Sequence, residues 1–462
     1  MSAFPFAGAL ARIAAVALCA GLVTGCETVS DAVYSINPFA EKDKILPGTR
    51  TAVFNDEGSA ALVQPEGGAR AASIGPAQAY ADWSQPGGNA ANDPGNIAYD
   101  GSAARVWSTS IGGGGGGSSF GGLGGGKSLR ISARPVAAGG RLYVYSPGAV
   151  VTSLSLTGGG RGWSVTLRPE GERDIANGGG VSYDQGRVYV GTAYGALTAL
   201  DAGSGSQVWT KELEAPARGA PTAANGKVFV VTQTNVVFAI NQADGAELWS
   251  YRGIPETAGL VANASPAVVG DTVVVPYTSG EVIAFNATTG EPKWSDAVTR
   301  ATRTMALSSI NDLSASPVVS GGVVFASGVA GRTIAIDLST GARKWEQDVG
   351  SAHTPIVSGN ALFLVDLDDR VVALDRNSGA PLWTTQLPIV KSRKERTNWA
   401  GPVLAGGSLW FVSSDSKLAS VDASSGQITS TRAIGEPSYI SPIAASGLMI
   451  TVSENGTISA YR

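Results

Sequence analysis

One motif returns at near-regular intervals along this chain, and it constrains the fold more than any other feature. Ala199-Leu200-Asp201, Gly205 and Trp209 come back as Ala239-Ile240-Asn241, Gly245 and Trp249. They come back again as Ala284-Phe285-Asn286, Gly290 and Trp294, as Ala335-Ile336-Asp337, Gly341 and Trp345, and as Ala373-Leu374-Asp375, Gly379 and Trp383. Successive tryptophans lie 40, 45, 51 and 38 residues apart. A period of about 40–50 residues in a β-rich sequence marks a propeller, in which each repeat is one blade that cannot bury its faces alone.

The units around the motif share a grammar. Most open on a proline among small residues, as at Ala220-Pro221, Ser265-Pro266 and Ser316-Pro317. A glycine turn, an alternating apolar strand such as Val273-Val274-Val275, a second turn, the Ala-Leu-Asp strand and the Trp strand follow. Four short strands between glycine turns make a blade. Eight units start near residues 134, 181, 220, 265, 316, 354, 401 and 441. The eighth has no Trp strand after Ala460-Tyr461-Arg462, whereas Arg105-Val106-Trp107 stands before the first unit with no blade of its own. Ring closure resolves both facts: residues 104–110 supply the outer strand of the last blade, which would otherwise expose an unpaired edge. The expectation is an all-β, eight-bladed β-propeller of four-stranded antiparallel blades, with the propeller over 81–462 and its blades over 134–462. Trp107, Trp163, Trp209, Trp249, Trp294, Trp345 and Trp383 are read as structural. One ring per blade packs against the neighbouring blade and bonds through its indole N–H, in preference to forming a ligand floor. The seventh unit departs from the pattern, with Ser430 where tryptophan is expected.

The N-terminus supplies an address. Arg12 is followed by an apolar run of 11 residues, 13–23, too short for a membrane span, and Val23-Thr24-Gly25-Cys26 closes it. Residues 1–25 read as a signal peptide. The four residues ending in Cys26 resemble a bacterial lipobox, so Cys26 is the expected lipidation site and the lipid the membrane anchor. Glu27 rather than Asp follows, which points to the outer membrane of a Gram-negative bacterium, facing the periplasm. Residues 26–80 are polar, without a sustained period, and read as the lipidated N-terminus and a flexible tether.

Composition removes several functions. Charged residues are 15% of the chain and net charge is −4, so nucleic acid is not an expected partner. Cys19 and Cys26 are the only cysteines and His353 the only histidine, which excludes thiolate metal clusters, body disulfides and multi-histidine sites. No metal and no cofactor are expected. Gly121 to Ser128 matches the phosphate-loop pattern literally, but residues 112–126 hold 11 glycines and a strand, not a helix, is expected next. The stretch is read as a loop joining the closure strand to the first blade. Asp366, Asp368 and Asp369 lack the spacing of a calcium loop and read as turn residues. Lys391-Ser392-Arg393-Lys394-Glu395-Arg396 is a basic run between blades six and seven, and Arg300 and Arg303 lie in the blade 4–5 connection. Long polar connections on a rigid ring are where binding concentrates.

The unit A-[LIF]-[DN]-x-x-[ST]-G-x-x-x-W resembles the repeat of quinoprotein propellers. Dehydrogenases of that type hold pyrroloquinoline quinone and calcium on the ring axis, but this body has no cysteine pair and is short. The second branch is the BamB family, lipoprotein subunits of the outer-membrane β-barrel assembly machinery. That resemblance covers the lipobox, the tether, the closure strand and eight blades. It is closest at Ser316-Pro317-Val318-Val319-Ser320-Gly321-Gly322-Val323-Val324-Phe325 and at Asp369-Arg370-Val371-Val372-Ala373-Leu374. It implies a non-catalytic scaffold that binds a POTRA domain of the barrel-inserting subunit and assists insertion of nascent outer-membrane proteins. It places partner contacts at Leu260 in the blade 3–4 connection and Asp312 in the blade 4–5 connection. The family's arginine after the leucine is Val261 here, and its second acid is Ser314. A quinone-dependent periplasmic dehydrogenase and a propeller binding an envelope polymer are the alternatives.

Overall fold

The computed structural model describes residues 65, 68–112, 131–176, 178–255, 264–298, 312–390 and 396–462. Among them every regular element is a strand, and the strands form eight four-stranded antiparallel sheets. Blades one to seven run in simple order over residues 136–166, 179–212, 222–252, 267–297, 318–347, 356–386 and 399–433. Blade eight takes three strands from residues 443–461 and its fourth from Arg105–Ser110, which pairs antiparallel with Thr457–Tyr461. The N-terminal strand therefore closes the ring.

Within each blade the strands are called A to D in chain order, and the A strands of successive blades are spatial neighbours around the axis. Burial follows that placement. The B and C strands are buried on both faces, as in Lys227–Val231 and Val236–Asn241, because each blade is covered by the blades on either side. The D strands alternate, as Gln207–Glu212 does, because only one of their faces meets a neighbour. Valine, isoleucine and phenylalanine suit such doubly covered strands.

The motif's letters each have a local cause. The alanine lies opposite the tryptophan in register, at Ala199–Trp209, Ala239–Trp249, Ala284–Trp294, Ala335–Trp345 and Ala373–Trp383. A bulge follows immediately after each of these alanines and re-aims the D strand. The Asp or Asn closes the C–D turn on itself. Asp337 Oδ1 accepts the Ser339 and Thr340 N–H groups at 3.1 and 3.0 Å, and these bonds with the two hydroxyls hold its carboxyl down at about 2.

Residues 70–99, ahead of the closure strand, lie across the A–B turn end of the ring. The inner edge of each A strand has unpaired N–H groups, and this strap meets all eight blades in a circuit. Ser73 O accepts from Asn360 N of blade six at 3.0 Å, Tyr80 O from Ser446 N of blade eight at 2.8 Å, and Trp83 O from Ala137 N of blade one at 2.8 Å. Ser84 O takes Tyr183 N of blade two at 2.8 Å, and Gln85 Oε1 takes Ala223 N of blade three at 3.1 Å. Ala90, Ala91 and Ile97 do the same for Val268, Val319 and Gly406 of blades four, five and seven. Residues 70–80, expected as tether, are thus bonded to the ring: Arg70 N donates to Leu382 O, Ala72 N to Ser424 O, and the Ser73 and Tyr80 carbonyls accept from the A–B turns of blades six and eight.

Candidate partner-binding rim and the ring that carries it

The tryptophans join each blade to the next. Each indole sits under the C–D turn of the next blade. A Cβ built on Gly205 would lie 2.6 Å from Trp163, on Gly245 2.8 Å from Trp209, and on Gly341 2.5 Å from Trp294. The indole N–H donates to a carbonyl of the same turn: Trp163 to Ala202 at 3.0 Å, Trp209 to Gln242 at 3.0 Å, Trp249 to Ala287 at 3.1 Å, Trp294 to Leu338 at 2.8 Å and Trp345 to Arg376 at 2.9 Å. Trp107 on the closure strand uses the same socket, donating to Leu156 O at 3.0 Å beneath Gly159. Trp383 sits under Gly426, and its indole N–H has no partner among the described residues.

Ser430 now has a physical account. The socket for a blade-seven tryptophan would be the C–D turn of blade eight, and no turn joins Tyr461 to Arg105. In its place Arg462 and Ala104 exchange backbone hydrogen bonds at 2.9 and 2.8 Å. Arg432 crosses the seam to the Ser102 and Ala103 carbonyls at 2.9 and 3.1 Å. Without a socket, a tryptophan there has nothing to fill.

The D–A connections leave from the end of the ring opposite the strap. Leu260 and Val261 of the blade 3–4 connection lie outside the described residues, as do Arg300, Arg303 and residues 391–395. Cys26, the signal peptide and residues 113–130 of the glycine-rich loop lie outside them too. Ile254, at the start of the blade 3–4 connection, is 55% exposed.

Asp312, expected as a partner contact, is described, and it is buried in the ring. Its side chain is 0% exposed and pairs with Arg218, which is 2% exposed and comes from the blade 2–3 connection. Arg218 also donates to Leu313 O at 2.7 Å and Pro276 O at 3.2 Å. Burial pulls Arg218 below the ordinary arginine range and Asp312 opposes the shift. An ion pair so enclosed survives because the two charges compensate each other. Asp312 therefore fixes the re-entry of the blade 4–5 connection into the ring.

A second clamp lies at blade six. Asp366 Oδ2 accepts Arg370 Nε at 2.6 Å, while Asp369 accepts the Trp399 N–H at 2.8 Å and pairs with Arg396 at 3.1 Å. Burial raises the Asp369 carboxyl, partly offset by those two partners. Val390 N donates to Thr397 Oγ1 at 3.1 Å, which closes the base of the basic connection. The three aspartates are thus occupied by backbone and arginine partners. At the axis, Arg134 donates to Pro86 O of the strap at 3.4 Å, and burial brings it down to about 10. His353 is pushed down to about 4, first by burial and then by Arg134, against a bond to the Trp399 backbone.

The sequence reading missed the strap, because single hydrogen bonds spread over 30 irregular residues leave no periodicity. It missed the Arg218–Asp312 pair because 94 residues separate the partners.

Comparison with known proteins was consistent with this architecture. The sequence model of the family described as outer membrane protein assembly factor BamB matches residues 147–385 and 368–462. The assembly factor BamB of Yersinia pestis is 26% identical over 257 residues, 54% of this chain and 63% of that protein. That of Salmonella typhimurium is 28% identical over 255 residues, 54% of this chain and 62% of that protein. The chain thus matches less than two thirds of the length of these relatives. Among solved structures, BamB from Moraxella catarrhalis superposes with a TM-score of 0.66 at 21% identity, over 78% of this chain and 99% of that one. A quinohemoprotein alcohol dehydrogenase from Comamonas testosteroni reaches 0.63 at 15% identity, over 82% of this chain and 80% of that one. At these identities the structural likenesses speak for the fold alone.

Proposed function

Because this chain belongs to the family of outer membrane protein assembly factor BamB, we propose that it is a non-catalytic scaffold lipoprotein of outer-membrane β-barrel assembly. In this reading Cys26 carries the lipid, the propeller faces the periplasm, and the D–A rim binds a POTRA domain of the barrel-inserting subunit. Nascent outer-membrane proteins are the clients.

One observation beyond the family match carries the reading. The buried Arg218–Asp312 pair ties the blade 2–3 and 4–5 connections together, on either side of the blade 3–4 connection that contains Leu260. The pair holds Arg218 and the re-entry residue Asp312 in place, and a positioned backbone loses less freedom on binding. Ile254 adds exposed apolar area beside it. The strap bonds to the opposite end of the ring, at the A–B turns.

A quinone-dependent dehydrogenase is the reading that the shared fold also raises, and the donor chemistry at the axis does not fit it. Among the residues that precede the prolines of the innermost strands, Arg134 alone is charged; the others are Ala220, Ser265, Ser316, Thr354, Gly401 and Ser441. No group of three or more His, Cys, Asp or Glu that could share a cation occurs among the described residues, whereas calcium takes about six to eight oxygens.

The test is co-purification from detergent-solubilised envelopes. Tagged wild type should bring down the barrel-inserting subunit, and Leu260→Asp should lose it without a change in Tm. Asp312→Arg is a folding variant rather than an interface probe. It sets a second guanidinium against Arg218 and should cost about 3–5 kcal/mol, the scale of breaking a buried pair. Failure of wild type to capture that subunit, or capture undiminished by Leu260→Asp, would reject the proposed contact.

A further inference from the structure

Each blade turns one row of B, C and D side chains towards the blade before it. In seven blades the row carries at least one aliphatic or aromatic side chain, a single valine beside two hydroxyls in blade one (Val144–Thr152–Ser164) and blade two (Val190–Thr198–Thr210). It reads Val230–Phe238–Ser250 in blade three, Val275–Ile283–Ser295 in blade four and Leu364–Val372–Thr384 in blade six. In blade eight all three positions are hydroxyls: Thr451, Ser459 and Ser108. At this seam, which also lacks a tryptophan, the all-hydroxyl row lines a groove of about 230 Å³ against the blade 7–8 connection.

The lining of this groove is chemically specific. Ser108 and Ser459 share a hydrogen bond of 3.1 Å, and Thr457 adds a further hydroxyl at the rim. Two charged groups border it, Arg105 from the closure strand and Glu436 from the connection. Among the described residues neither side chain has a hydrogen-bond or ion-pair partner. The two formal charges cancel, so the site favours neither an anion nor a cation.

We infer that this groove binds a neutral polyhydroxylated ring, a hexopyranose unit. A carboxylate accepts from two vicinal hydroxyls, a guanidinium donates to hydroxyl oxygens, and serine and threonine do either. The volume lies below the roughly 300–1,000 Å³ of sites for drug-sized ligands and suits a single ring. The ring can come from a free sugar or from one unit of a glycan chain. The inference is independent of the assembly reading, because the groove lies at the 7–8 seam and uses none of the residues assigned to the partner rim.

Saturation-transfer NMR on the detergent-solubilised full chain tests it, with glucose, N-acetylglucosamine and the N-acetylglucosamine trimer as probes. Wild type should bind at least one of them saturably, and Glu436→Gln should weaken that binding by about tenfold or more, the loss expected for a charged hydrogen bond. Ser459→Val fills the groove and should abolish it; Glu436→Gln, on a partly exposed connection, remains informative if that core variant does not fold. A trimer that binds more tightly than the monosaccharides identifies a glycan chain as the source, and equal or weaker trimer binding identifies a free sugar. Wild type that binds none of the three probes, or Glu436→Gln that binds as wild type does, would overturn the inference.

Discussion

At the residue scale, the repeated motif is a set of five separate physical tasks. Alanine makes room opposite an indole, the apolar residue after it enters the seam, Asp or Asn folds the turn, glycine takes a positive φ, and tryptophan joins two blades. Glycine has a double constraint that sequence shows only as recurrence. Gly341 has φ +74° and lies so close to Trp294 that a Cβ would sit 2.5 Å away, whereas Gly322 has φ +77° with nothing within 4 Å of a Cβ. Gly341→Ala should therefore cost about 1–3 kcal/mol more than Gly322→Ala, the scale of overpacking. Urea midpoints of the two variants isolate the staple from backbone strain, and equal losses would mean that the indole yields freely. Ser430 follows the same logic in reverse, since a residue is dispensable where its socket is missing.

At the element scale, the strap and the connections decide what the blades alone do not. A strand edge exposed at the axis is a liability, and here an irregular segment with the right carbonyls covers it. Trp83 anchors that segment, fully buried and set edge-on to Tyr80 at 6.3 Å between ring centroids. Trp83→Ala should destabilise the whole protein by about 3–5 kcal/mol, as for a buried aromatic in a core. A tether residue would show no such cost. Intrinsic fluorescence and circular dichroism followed through one urea titration measure it, and an unchanged midpoint would show that the strap is dispensable. The connections obey a different rule. Their contact residues are free to vary, but their ends must re-enter the ring, and Arg218 with Asp312 and Asp369 with Arg396 are the fixings.

At the scale of the whole molecule, the axis brings together groups from distant blades, and pH reports on them. His353 of the blade 5–6 connection lies within electrostatic reach of Arg134 at the head of blade one, which helps hold its folded-state value at about 4 against 6.5 in the unfolded chain. The unfolded chain takes up the proton first, so the His353 contribution is complete above about pH 6.5 and is lost as pH falls towards about 4. His353→Gln should flatten stability against pH across that window, measured by urea midpoints at several pH values; an unaltered slope would place the titration elsewhere. The sequence by itself determined the blade count, the closing strand and the stapling tryptophans, because those depend on local spacing that every repeat restates. It marked Cys26 as an address and Leu260 and Asp312 as sites on a resemblance alone. Only the tertiary structure decided that Asp312 is buried against Arg218, that residues 70–99 bridge eight blades, and that the 7–8 seam carries a polar groove. Each of these depends on partners tens to hundreds of residues apart, and a charge or a hydroxyl reads the same in sequence whether its partner is water or protein.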